Sequence, residues 1–532
     1  MLDHLTFLFY LNIFLISNIG YGLLFSKYIY KDFDNLNYGY LGIIGFFLIT
    51  IIAYITSFFT AHNFLHNFII HFIGLFFFII NFSKDIGKNI LQIKRLYAIT
   101  IILLVGVYVW KNHDDFAYYH LTYALNLSQN KLMIGTGLFS HGFRTSSSLF
   151  QYHSTLYLPH IKYFLFHSGP FYILVYFNYI VLIKLFHKFK ENKFDIVYFF
   201  SLLSFCFVNV AFYRLAEHGT DRTAQILIFL IFIIFLEIFF IEKDKKKKTI
   251  LLSFFIITIF LAASMKVLFI IYTALVPIIL LKKYFYKIYF IKKNIIILTL
   301  VSLSFSLNLS TSFFNTGCLI YPEERTCFFG KFDWTLSERE VKRMNIHYEW
   351  WAKAGGGPGY VSEIKPKEYI KNFVWFKNWI DRHFFNKVSD TLSGIIFIAV
   401  LNYLLFRDKK KLNFKLKKIF IINIIILFLF LEWFLKHPSM RYGGYVLFAL
   451  PIFIFTSKHL EKYKIKKRKI RYVTILLIVL TFSIYNIRNV VRINEEGHNY
   501  YSGYDLLKSP YYYLPELKVK TVYDKDGFKI YS

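Results

Sequence analysis

Two adjacent carboxylates, Asp114 and Asp115, stand where an apolar run ends, in the stretch KNHDDFAYYH that follows Ala98 to Trp110. Histidines flank them at His113 and His120. In a chain with 63 Lys and Arg against 32 Asp and Glu, such a pair is conspicuous. One of the two is accounted for as the N-cap of a helix starting at Phe116. The second, at the mouth of a hydrophobic bundle, is costly unless it meets a cation, a metal or a proton donor. A carboxylate so placed suits general-base chemistry on a hydroxyl.

A second group is YRLAEHGTDRTAQ, Tyr213 to Gln225, where Arg214, Glu217, His218, Asp221 and Arg222 crowd between two apolar runs. In open water these would be ordinary surface ion pairs of about 0 to 1 kcal/mol each. A loop this short stays at the rim of the bundle, so Glu217 and Asp221 count as candidate catalytic acids and Arg222 as a binding cation. His141, Arg144 and His153 add donors suited to phosphate, Arg in bidentate geometry. Lys266 and Arg441 each sit at the end of an apolar span, where the plain alternative is a side chain that snorkels to the headgroups. GGGPG, Gly355 to Gly359, lacks the strand before it and the Lys-Ser or Lys-Thr after it that a phosphate loop needs, and is read as a turn. No Cys-x-x-Cys or His-Glu-x-x-His spacing occurs.

What must position these residues is a membrane bundle. The 532 residues are 56% hydrophobic and 21% aromatic, and apolar windows long enough to cross a hydrocarbon layer about 30 Å thick recur throughout. The pattern predicts an all-α, polytopic bundle of about fourteen spans (12–14). The lysine runs at Glu242 to Lys248, Lys282 to Asn294, Arg407 to Lys418 and Lys458 to Arg471 all fall on one face by span counting. That makes the charge of +31 a topology signal for the cytoplasmic side and not a nucleic-acid footprint. A turn at Lys266 is required to keep the flanking lysine loops on that face.

Asp114, Asp115, Glu217, Asp221, Lys266 and Arg441 then share the opposite face. Cys318 and Cys327 lie there too, where an oxidising compartment lets them pair. No cleavable signal peptide is expected. The organisation reads as a three-span segment 1–95, a bundle 96–310 with a large external loop 111–169, an external segment 311–389, further spans 390–487 and a tail 488–532. Both ends of the 111–169 loop have helical apolar spacing, which predicts helices lying along the interface.

NHDDFAYYH, AEHGTDRTAQ and HPSMRYGG in this order resemble the acidic and Pro-x-x-Arg-Tyr elements of the GT-C superfamily of integral-membrane glycosyltransferases, over about Leu96 to Phe455. The three spans ahead of the acidic loop depart from that pattern, where many members have one. The resemblance implies a lipid-linked sugar donor on a polyprenyl phosphate, an acceptor from the cell envelope, and inversion at the anomeric carbon. Asp114 or Asp115 would be the base, or would hold a divalent cation such as Mg or Mn. Arg144, Lys266, Arg441 and Arg222 would meet the departing phosphate, and the setting would be the outer face of a bacterial inner membrane. Rival readings are a surface-polysaccharide polymerase or ligase, and a transporter or lipid flippase.

Overall fold

The structure, a computed structural model, describes residues 2–108, 115–215, 219–280, 288–357, 359–408, 420–499, 505–510, 521–525 and 528–531. The chain opens with α1 (Leu2–Leu24), α2 (Tyr38–Ser57), α3 (Phe64–Lys84) and α4 (Ile86–Leu103). An outer loop carries α5 (Leu121–Gln129) and α6 (Ser148–Ser154). Next come α7 (Gly169–Lys190), α8 (Ile196–Ala211), α9 (Gly219–Leu236), α10 (Lys245–Met265), α11 (Leu275–Leu280) and α12 (Ile288–Thr316). The outer segment adds α13 (Glu338–Ala352), α14 (Pro366–Tyr369) and α15 (Phe376–Trp379). The chain continues with α16 (Ser389–Phe406), α17 (Phe420–Lys436), α18 (Gly444–Leu460) and α19 (Lys467–Asn499). Among the described residues the strands form two short hairpins, β1 (Gly356–Gly357) with β2 (Tyr360–Val361), and β3 (Thr521–Lys525) with β4 (Phe528–Tyr531).

Among the described residues, ten helices are long and apolar enough to cross a membrane. The chain is therefore a polytopic helical membrane protein. The other apolar runs fall on shorter helices: α8, the stretch Val267–Ile279, α17 and α18.

Helix α9 is the axis of the bundle. Every residue from Gly219 to Leu236 except Arg222 is buried, as expected of a helix that is apolar all round. The lipid-facing helices α3, α16, α17 and α19 instead expose Phe, Ile, Leu and Val. Helices α1, α2 and α3 approach so closely that a Cβ on Gly20 would lie 1.7 Å from the Gly74 carbonyl oxygen, and one on Gly45 would lie 1.6 Å from that of Asn18. Small residues that allow such contact replace the hydrophobic drive that lipid removes. The same three helices join the rest of the bundle through buried polar contacts. Asn18 Nδ2 donates to the Tyr152 hydroxyl (2.9 Å), and the Tyr172 and Tyr176 hydroxyls donate to the Leu11 and Leu15 carbonyls (3.2 and 2.8 Å).

The bundle has two chemically distinct ends. At one, Lys458 lies over the Phe240 ring, Lys467 over Phe189, and Lys469 donates to the Arg407 carbonyl. The lysine loops around 240, 407 and 460 thus meet at one end. Asp115, Asp221, Lys266 and Arg441 gather at the other. Helix α10 stops at Met265, Lys266 takes an extended backbone (φ −147°, ψ 108°), and a 3-10 stretch follows from Val267 to Ala274. The turn expected at Lys266 is present.

The outer loop differs from the expected pair of interfacial helices. A π-helical turn at Phe116–His120 leads into α5, and both α5 and the seven-residue α6 are largely buried. The C-terminal end of α6 finds polar partners inside, although the buried side chains of Ser148, Gln151 and His153 have none among the described residues. His62 Nδ1 bonds the Ser154 hydroxyl at 2.6 Å, and Asn67 Nδ2 donates to the carbonyls of Ser154 and Tyr157. Past Ser154 the helical spacing of the sequence gives way to turns, with a bridge between Leu158 and Lys162.

Candidate functional site

Four charged side chains from four distant segments form one continuous chain at the end of the bundle opposite the lysine loops. Arg441 Nη2 donates to Asp115 Oδ2 (2.8 Å), and its Nε donates to Asp221 Oδ2 (2.8 Å). Lys266 Nζ faces the other oxygen of Asp221 at 2.6 Å, as a charge contact and not an aligned hydrogen bond. Exposure grades outward: the side chain of Asp221 is 5% exposed, Asp115 25%, Lys266 27% and Arg441 34%. Asp221 is thus the buried organiser, and the other three are partly open to solvent.

Local structure sets each member. Asp221 occupies the first turn of α9, where the helix dipole favours a carboxylate. One turn later Gln225 reaches the segment that carries Arg441. Its Nε2 donates to the Arg441 carbonyl (3.3 Å) and its Oε1 accepts from Val446 N (3.3 Å). Gly443, at φ 107°, supplies the left-handed backbone that lets this segment turn into α18. Lys266 is held by the Ser147 hydroxyl, which donates to the Met265 carbonyl at 2.8 Å, and its Nζ sits 4.9 Å from the Tyr442 ring centre.

Electrostatics favour the charged form of Arg441. Burial opposes the Arg441 charge, but Asp221, Tyr442, Tyr119 and Asp115 outweigh it and hold its pKa well above the ordinary value. Burial, with Asp115 next in size, pushes the Tyr119 hydroxyl well up. His120 behaves oppositely: burial lowers it to about 3 despite Asp115 and Asp221 nearby. It is neutral at physiological pH, and its Nε2 has no protein partner.

Further cations surround the cluster. Arg222 Nη1 donates to the Arg214 carbonyl (3.3 Å). Exposed Lys387 feels the charges of both Arg441 and Arg222.

Helix α13 roofs the site. Arg144 Nη1 pairs with Glu340 (2.5 Å) while its Nε donates to the Gly137 carbonyl (2.8 Å). His141 Nε2 bonds the Tyr348 hydroxyl at 3.0 Å. On the other side Lys436 reaches Glu349 (3.5 Å), and Trp379 Nε1 donates to the Pro438 carbonyl (2.5 Å). Cys318 and Cys327 are disulfide-bonded at the start of this outer segment.

Of the residues singled out from sequence, Asp115, Asp221, Lys266 and Arg441 meet directly, with Arg222 beside them. Arg144 and His141 anchor the roof. His153 lies in the interior, against Gly169 and near His120, with burial lowering its pKa well below the usual range. His113, Asp114 and Glu217 lie outside the described residues. Sequence reasoning missed Gln225, Tyr119, Tyr442 and Lys387 as members of the site. The spacing Asp221 to Gln225, one helical turn, is the signal from which the first of these was readable. A divalent cation does not fit the described donors. No group of three or more His, Cys, Asp or Glu side chains gathers among them, and both carboxylates are already met by cations at 2.6 to 2.8 Å.

A family model described as a domain of unknown function (DUF8201) matches residues 4–448, a range that holds all four members of the cluster. No curated protein and no solved structure matches the chain.

Proposed function

The chain belongs to the DUF8201 family, and from its outer cluster we propose that it is a membrane glycosyltransferase of the GT-C type. It moves a sugar from a polyprenyl-phosphate-linked donor to a cell-envelope glycan, lipid or protein on the non-cytoplasmic face. The observation that carries this reading is the chain Asp115–Arg441–Asp221–Lys266. It sets a half-buried carboxylate, Asp115, within one guanidinium of cations suited to a phosphate.

In this reading Asp115 accepts the proton of an acceptor hydroxyl. The hydroxyl oxygen attacks the anomeric carbon as the bond from that carbon to the phosphate oxygen breaks, inverting the centre. The electron pair leaves on the polyprenyl phosphate, whose charge Arg441, Lys266, Arg222 and Lys387 stabilise. Asp221 touches neither reactant. It is a positioning residue that holds Arg441 and Lys266 at fixed separation. Neutral His120, buried beside Asp115, adds no competing positive charge where the base must work.

The test is transfer from a radiolabelled polyprenyl-phosphate sugar by the protein in vesicles. Asp115→Asn is expected to lower the rate at least about 100-fold, the scale of general-base catalysis. Unchanged transfer overturns the assignment of the base. Movement of labelled lipid across the vesicle without glycosidic cleavage supports a flippase instead.

A further inference from the structure

A second site lies outside the acid–cation cluster, where α19 leaves the bilayer. Arg488 follows Lys467, the start of α19 at the lysine end, by 21 residues. That is about 32 Å of helix, one hydrocarbon thickness. Arg488 therefore stands at the outer headgroup level. There a cavity of about 460 Å³ opens, lined by Tyr213, Arg214, Ile487, Arg488, Arg492 and Glu495, among others.

The lining is divided by chemistry. Ile487 and Val491 are exposed on the apolar face of α19 that meets lipid. The polar side is built. Arg492 is buried, donates to the Tyr108 carbonyl (2.8 Å), and with Arg214 brackets Glu496. The Arg488 guanidinium sits over the Tyr213 ring, 3.9 Å from its centre, with Nη1 donating to the Val210 carbonyl (2.7 Å). Among the described residues no carboxylate pairs with Arg488, and no cation pairs with exposed Glu495. These two open charges of opposite sign share one face of α19, two turns or about 10 Å apart. A bare anion is matched by Arg488 but repelled by Glu495. A zwitterion satisfies both.

We infer that this cavity binds the headgroup of a phosphoethanolamine lipid, its phosphate on Arg488 and its ammonium toward Glu495, with the acyl chains leaving along Ile487 and Val491. The mixed lining and the depth of Arg488 both select a lipid over a soluble ligand.

The experiment follows the thermal unfolding midpoint of the full-length protein in detergent. The added probes are dihexanoyl phosphatidylethanolamine, the matching phosphatidylcholine and phosphatidylglycerol, or inorganic phosphate. The ethanolamine lipid is expected to raise the midpoint saturably and at the lowest concentration. Arg488→Ala should raise its half-saturation at least tenfold, and Glu495→Gln, at an exposed position, should remove its advantage over phosphatidylglycerol while keeping a response. Equal responses from wild type and both variants overturn the inference. So does inorganic phosphate acting as well as the lipid, which would mean a simple anion site.

Discussion

Arg441 Nε and Asp221 Oδ2 lie 2.8 Å apart across 220 residues of chain, and the same guanidinium reaches Asp115 at 2.8 Å. A planar fork can hold two carboxylates at set angles, whereas an ammonium is a point charge on a flexible stem. Arg441→Lys is therefore expected to keep the charge and lose the geometry. Transfer should fall about 10- to 100-fold in kcat/KM, a loss of about 1.4 to 2.7 kcal/mol of transition-state stabilisation. Steady-state assay of the variant, with its unfolding midpoint as control, checks this, and wild-type kinetics would refute the role.

Asp221 offers a contrast. Its side chain is 5% exposed and touches both cations. In Asp221→Asn the two cations lose their shared counter-charge, an uncompensated arrangement that costs about 3 kcal/mol when buried. The cost should be lower here, because Lys266 and Arg441 are partly open to solvent. The unfolding midpoint is expected to drop by about 1 to 3 degrees, whereas Asp115→Asn, more exposed, should leave it nearly unchanged. Equal thermal losses in the two variants would contradict the division between organiser and base.

How far this site was legible in the sequence follows from what hydropathy encodes. A charge at the end of an apolar run must lie near the membrane surface, and the lysine loops say which surface, so the sequence puts Asp115, Asp221, Lys266 and Arg441 on one face, with Asp114 and Glu217, but does not say that they meet. Hydropathy carries no lateral information. It gives no sign that Gln225 clamps the Arg441 turn, that Lys387 approaches Arg222, or that Arg144 is spent on Glu340. His153 shows the remaining limit: its helical, aromatic surroundings fit a surface-lying helix and a buried one alike, and hydropathy does not encode the contacts of α6 with Asn18, His62 and Asn67 that accompany its burial.

Buried histidines predict an acid limit to stability. His120 has its pKa lowered by burial to about 3, and His62 and His167 are lowered by burial to about 3 and about 4. Each folded-state value lies below the unfolded one near 6.5. The unfolded chain therefore binds more protons between these limits. The stabilisation is complete above about pH 6.5 and is lost as pH falls toward 3. Replacing His120 by Gln should remove one proton's worth of this dependence, about 1.4 kcal/mol per pH unit. The unfolding midpoint measured from pH 7 to pH 4 should fall less steeply in the variant. An identical slope would show that His120 is not buried and neutral.

The roof supplies the last prediction. Glu340 is held down to about 2, by its hydrogen bonds to Arg343 and then to Arg144. That folded-state value lies below the ordinary carboxylate range, so the clamp's contribution is present above about pH 4.5 and is lost as pH falls through about 2. At pH 5 to 7 it is intact, and Glu340→Gln removes its charge. For a partly exposed pair the cost is under about 1 kcal/mol. That is too small to unfold the bundle but enough to raise the open population of α13 up to about fivefold. Amide exchange across Glu338–Ala352 should quicken by that factor in the variant while exchange in α9 stays unchanged. Because α13 also carries Tyr348 and Glu349 to the two sides of the opening, faster exchange there should be accompanied by a higher KM for donor with kcat little altered. If exchange and KM both hold at wild-type values, the Arg144–Glu340 pair does not fasten the roof.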